Sequence, residues 1–144
     1  MAYATRVSTS AASAGLAAIT ALLTSGSVLK IYSSNQPATP DVLPGAGHDL
    51  LATLNFSTTP FGAPIAGVST ANTIAATTID KSGTAAWFRI SSTAAGYPTS
   101  SGYGLIDGTA STAGSNLILN SASLSSGASL TISSLTITLP QTTP

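Results

Sequence analysis

Cysteine and glutamate are both absent from this chain of 144 residues, and charge of either sign is scarce. The cations are Arg6, Lys30, Lys81 and Arg89; the anions are Asp41, Asp49, Asp80 and Asp107. Together they make up 6% of the chain and cancel to a net charge of zero, whereas an ordinary soluble domain is about 25% charged. Each shortage excludes a class of function. Four scattered cations are too few to neutralise a phosphate backbone, which argues against general DNA or RNA binding. Without cysteine, and with His48 as the one histidine, there is no basis for a disulfide framework or a transition-metal site. Long apolar runs are missing too. Residues 11–23 (AASAGLAAITALL) fall short of the roughly 20 apolar residues a membrane helix needs. They also lack the basic flank of a signal peptide, having only Arg6 ahead of a hydroxyl-rich stretch.

Serine and threonine fill the space that charge leaves, at close to a third of the chain. Disorder pairs low hydrophobicity with high net charge. Here 43% of residues are hydrophobic and mean hydropathy is +0.39, so a buried core is expected. Threonine suits the outer faces of strands. A neutral, weakly charged surface is poorly protected against association, so part of it is expected to be covered by a partner.

Residues 9–24 read as one short helix, with Leu16, Ile19, Leu22 and Leu23 on one stripe, hydroxyls at 8–10 to cap it and Ser25-Gly26 to end it. Turn residues then punctuate the chain at strand-like intervals. Strands are expected at 28–33, 50–57, 68–77, 84–91, 104–108, 116–120 and 130–139. In the second, Leu50, Ala52, Leu54 and Phe56 alternate with polar residues; in the fourth, Phe88 and Ile90 alternate with Trp87 and Arg89. The last strand changes phase between Ile132 and Leu135; a β-bulge at Ser133-Ser134 would keep one inward face, and a short turn there is the other explanation. The expected core is therefore Leu16, Ile19, Leu22, Leu23, Leu50, Leu54, Phe56, Phe88, Ile90, Ile132, Leu135 and Ile137. The expected fold class is all-β, an antiparallel β-sandwich or jelly-roll-like body with one short N-terminal α-helix. Residues 1–144 read as a single domain: an arm at 1–8, the helix at 9–24, the sandwich at 28–139 and a tail at 140–144. The loop at 35–47 (NQPATPDVLPGAG) carries three prolines, which disfavour helix and interior strand.

The groups that carry chemistry are few. His48-Asp49 suggests a Ser-His-Asp triad, yet neighbours on a strand point to opposite faces and there is no G-x-S-x-G elbow. A glycosidase carboxylate pair would have to come from Asp41, Asp49, Asp80 and Asp107. Asp80 (before Lys81-Ser82-Gly83) and Asp107 (before Gly108) read instead as turn formers. The aspartates are spaced too widely for a calcium loop. No phosphate-binding glycine motif is present. Asn55-Phe56-Ser57 is a glycosylation sequon in form only, since it falls within an expected strand. Tyr97 and Tyr103, with Trp87, would make a sugar-stacking platform, although Trp87 reads better as packing or a subunit contact. No catalytic, cofactor-binding or metal residue is assigned, no cofactor is expected, and the chain reads as a non-enzyme.

Nearly the whole chain resembles a widespread group of small virion proteins of tailed bacteriophages and prophages. The segments that carry the likeness are ATRVSTSAASAGLAAITALL, QPATPD, LLATLNFSTTPFG, GVSTANTI, GTAAWFRI, LIDG and NLILNSASLSSGASLTISSLTITLP. Residues 97–104 depart from it as a longer turn. The resemblance implies virion membership and transfers no catalytic motif. Two roles fit within that implication, and the one expected is a capsid decoration or cement protein on the head surface, made in the bacterial cytoplasm, with the major capsid protein as partner and a homo-oligomer, such as a trimer, as its form. A tail, baseplate or fibre component touching a host glycan is the other role it allows. A free carbohydrate-binding module and an enzyme are the classes outside it. Residues 1–9, the loop 35–47 and the tail are the expected contact surfaces, with neither nucleic acid nor membrane as partner.

Overall fold

The computed structural model describes residues 6–92 and 104–139. Helix α1 spans Thr9–Ala21, and the Ser8 side chain caps it by accepting a hydrogen bond from the Ala11 N–H at 3.2 Å. It ends three residues before the expected boundary. The N–H groups of Leu22 and Leu23 bond to the carbonyls of Ile19 and Thr20, and these i to i−3 bonds tighten and close the last turn. Ala12, Leu16 and Leu23 are buried, whereas Ile19 and Leu22 are only half-buried.

Among the described residues eleven strands follow: β1 (Val28–Tyr32), β2 (Leu50–Asn55), β3 (Val68–Thr70), β4 (Thr77–Thr78), β5 (Gly83–Thr84), β6 (Trp87–Ser91), β7 (Ile106–Ser111), β8 (Leu117–Leu119), β9 (Ser123–Leu124), β10 (Ser129–Leu130) and β11 (Ile132–Thr138). Seven of them form one sheet in the order β2-β1-β6-β7-β8-β11-β3, and β10-β4 and β5-β9 form two short ladders. The sheet is mixed, which corrects the antiparallel expectation: β7 and β8 run parallel. Parallel neighbours ordinarily need a crossover of a dozen or more residues. Residues 112–116 suffice here because β8 enters only beside the end of β7, pairing Leu117 with Ala110 and Ile118 with Ser111. The sheet curls. Isolated bridges Phe56↔Ile74 and Phe61↔Ala71 join the chain just beyond its two edge strands, and the Asp80 and Lys81 N–H groups bond to the Leu51 carbonyl on the β2 edge. The fold is thus mostly β with one short helix.

Register decides which face each residue takes. Leu54, Leu29, Ile90 and Ile106 form one inner row across β2, β1, β6 and β7, and Ala52, Ile31, Phe88 and Gly108 form the next. A Cβ on Gly108 would sit 2.6 Å from the Phe88 ring, so only glycine leaves room for that ring beside β7. Leu117, Leu119, Leu124, Leu130 and Leu135 complete the core. The register of β11 shifts between Ile132 and Ser134, so Ser133 is the extra residue of a bulge; of the two explanations for the phase change, the structure takes this one. Leu135 is buried, and Ile132 and Ile137 pack against the core half-buried. A second bulge is not legible in the sequence. Ile31 pairs with Ala52 but Tyr32 with Leu50, leaving Leu51 as the extra residue. Leu51 is fully buried and Leu50, expected in the core, is turned outward and 36% exposed.

Candidate functional site

Every residue of β6 is buried, which means both faces of the sheet are covered here. On the outer face, Lys30, Arg89 and Asp107 lie in one cross-strand row; Leu50, Tyr32, Trp87 and Thr109 lie in the next. The connection between β1 and β2 folds back over this face, and it contains the proline-rich loop.

Arg89 and Asp107 stand directly opposite each other on β6 and β7. The guanidinium donates from Nε to Oδ1 at 2.7 Å and from Nη2 to Oδ2 at 2.6 Å, and the two side chains are 0% and 2% exposed. A buried charge is tolerated only when paired and hydrogen-bonded. The Arg89 guanidinium also reaches into the loop: Nη1 donates to the Val42 carbonyl at 2.7 Å and Nη2 to that of Thr39 at 3.3 Å. The Gly104 N–H donates to the Pro40 carbonyl at 3.1 Å. Gly104 passes so close over Arg89 that a Cβ there would lie 2.6 Å from its Cγ.

Beside the ion pair sits an aromatic group. Tyr32 stacks on Trp87 with ring centroids 4.4 Å apart, and His48 meets the Trp87 ring edge-on at 5.5 Å. The Arg89 guanidinium lies 5.3 Å from the Trp87 centroid, within cation–π range. The Trp87 indole N–H donates to the Ser33 carbonyl at 3.1 Å. Burial pushes the Tyr32 hydroxyl above its ordinary value of 10.0; the Arg89 charge opposes that rise and the Asp107 charge adds to it.

The candidate chemistry of the sequence is dispersed. His48 packs on Trp87, while Asp49 turns to Lys81 in a half-exposed salt bridge of 2.7 Å, so the two do not form a dyad. Asp41 and Asp80 are exposed. Asp107 is no turn former: it lies inside β7, paired with Arg89. Trp87 packs within the chain, between Tyr32 and His48. Asn55 is exposed at the end of β2, next to buried Phe56. Tyr97, Tyr103, residues 1–5 of the arm and the tail 140–144 lie outside the described residues. Among the described residues no cluster of three or more His, Asp or other metal-binding side chains occurs, and no helix is long and apolar enough to cross a membrane.

The Arg89–Asp107 pair is what the sequence reading missed. A signal was present: an arginine within the apolar run AAWFRI must find a buried partner if that run is a central strand. Elsewhere the surface offers apolar points. Ile65 is 77% exposed in a tight turn closed by reciprocal hydrogen bonds with Val68, and Val42 and Leu43 are about half-exposed on the loop. A shallow cleft of about 480 Å³ runs between the end of α1 (Ala17, Thr20, Ala21) and residues 58–64, with no charged residue in its lining. Comparisons with protein-family models, with curated proteins and with solved structures found no match for this chain.

Proposed function

We propose that this chain is a bacteriophage virion structural protein, and within the virion a capsid decoration or cement protein that stabilises the head lattice through protein–protein contacts. The disposition of charge carries the reading. Of eight charged side chains, Arg89 and Asp107 neutralise each other inside the fold and Lys81 and Asp49 pair at the surface, leaving Arg6, Lys30, Asp41 and Asp80 as the other charges on an exterior made mostly of hydroxyls and apolar points. Such an exterior suits permanent cover by a partner. The resemblance to small virion proteins along nearly the whole chain points the same way. In this reading the curled sheet and its two ladders serve as a sandwich-like or jelly-roll-like body, and binding favours the assembled lattice by mass action, with no chemical step. The major capsid protein is the partner, and a homo-oligomer the functional form.

The test is the copy number per purified virion, measured by calibrated mass spectrometry as a ratio to the major capsid protein. A ratio within a small factor of one supports lattice decoration. A few copies per hundred overturns it in favour of a tail, baseplate or fibre component, and absence from particles rejects both. Deleting residues 1–6 is expected to lower incorporation while the domain stays folded; loss of folding would place those residues in the body of the protein instead.

A further inference from the structure

Strand β8 is three residues long, and its two neighbours outrun it. Leu117, its first residue, pairs with Ala110 of β7 on one side and Leu135 of β11 on the other. Beyond that point residues 106–109 face residues 136–138 across the place of a missing strand, where two strand spacings come to roughly 9.5 Å. Among the described residues no strand fills it. A slot of about 240 Å³ lies there instead, with Phe88, Ile106 and Ile137 on its core side and Asp107 and Thr138 along its rims. Asn116 closes one end: its carbonyl accepts from the Thr136 N–H at 2.9 Å and its side chain from the Thr109 hydroxyl at 3.4 Å.

The main chain of both rims is aimed into the slot. In an antiparallel ladder, successive residues turn their N–H and C=O to opposite sides. The Ala110 N–H bonds to the Ala86 carbonyl, so Gly108 also bonds toward β6 and Asp107 turns its N–H and C=O the other way. On β11, the Leu135 carbonyl accepts from Ala71 and the Leu139 N–H donates to Gly67, so Ile137 bonds toward β3 and Thr138 toward the slot. Donors and acceptors on two rims one strand apart specify an extended chain as the occupant.

We propose that the slot receives the N-terminal arm of a second copy, with residues 2–6 as the added strand. The run Ala2-Tyr3-Ala4-Thr5-Arg6 contains neither glycine nor proline, and small side chains alternate with larger ones. Ala2 and Ala4 fit the narrow core side against Phe88, Ile106 and Ile137, while Tyr3 and Thr5 take the outer side beside Thr138. The tail 140–144 begins and ends with proline, which has no N–H to give. A chain's own arm starts on the far side of β11, because α1 packs against β3, where the Gly67 N–H donates to the Ser13 hydroxyl at 2.9 Å. Arg6 and Val7 are exposed at the root of the arm, and six extended residues reach up to about 20 Å toward a neighbour. The joining of copies rests on slot and arm alone; copy number per virion tests the virion reading independently.

Sedimentation velocity of the full chain is expected to show association that rises with concentration, and the chain lacking residues 2–6 is expected to remain a folded monomer. Hydrogen exchange locates the contact. The Asp107 and Thr138 amides are expected to exchange at least about tenfold more slowly in the associated full chain than in the shortened one, with Gly108 and Ile137, bonded to β6 and β3, unchanged. A full chain that stays monomeric, a shortened chain that associates as well as the full one, or equal exchange at Asp107 and Thr138 overturns the proposal. If the shortened chain fails to fold, the full chain alone decides. Diluting it to the monomer is expected to speed exchange at Asp107 and Thr138 by the same factor; protection that survives in the monomer would mean that the slot is filled within one chain, and overturns the second copy as occupant.

Discussion

Two ion pairs in this molecule have the same chemistry and opposite consequences, and burial is the reason. Lys81 and Asp49 remain about half-exposed, where water screens the attraction; Lys81→Ala is expected to change stability by less than about 1 kcal/mol in urea denaturation. Arg89 and Asp107 are removed from water altogether. Asp107→Ala strands a buried guanidinium and is expected to cost about 3–5 kcal/mol, most of it recovered in Arg89→Met/Asp107→Leu. Tyr32 gives a third readout at this scale. Its folded pKa is raised by burial, so the folded state holds the phenolic proton more tightly than the unfolded chain. The stability this gives is present below pH 10 and is lost as pH rises through the folded value. Absorbance titration of tyrosinate is expected to show one tyrosine ionising later than free tyrosine and regaining ordinary behaviour on denaturation.

Strand β11 shows how one residue sets the sidedness of an element. Ser133 is the unpaired residue of its bulge and is exposed. Ser133→Ala is expected to leave stability within about 0.5 kcal/mol. Deleting Ser133 removes the extra residue and leaves Ile132, Leu135 and Ile137 in strict alternation on one face. The ladder with β8 then becomes regular with all three still inward, so stability is expected to stay within about 1.5 kcal/mol of the parent; the urea midpoint checks this, and a large fall would mean that the bulge itself is required. That bulge was legible because Ile132 and Leu135 are out of phase in the sequence. The bulge at Leu51 was not, because Leu50, Leu51 and Leu54 satisfy alternation in either register. Only the pairing of Tyr32 with Leu50 chooses between them. The two-residue ladders β5-β9 and β10-β4 were also invisible, since two residues carry no period.

For the molecule as a whole, stability rests on the apolar core and on one buried ion pair, with little long-range electrostatics. Thermal unfolding is accordingly expected to shift little between low salt and about 1 M NaCl, by less than about 1 kcal/mol, because salt screens exposed charges and barely reaches buried ones. A strong salt dependence would mean that exposed charges such as Arg6, Asp41 and Asp80 contribute more than their exposure allows. Curling the sheet and bridging its ends through Phe56↔Ile74 and Phe61↔Ala71 covers edges that would otherwise invite strand pairing with other chains.

Composition and local pattern by themselves determined the broad class: a hydroxyl-rich, nearly uncharged β protein with one capped helix, its inner strand faces marked by Leu54, Phe56, Phe88, Ile90 and Leu135. These follow from residue type and period two, which are local properties. The tertiary structure alone decided the mixed sheet, the outward turn of Leu50, and the joining of Arg89 to Asp107 beneath the proline-rich loop. Each of these depends on register between segments distant in the chain. An Asp-Gly pair reads as a turn until the strand opposite it brings an arginine to the same level of the sheet.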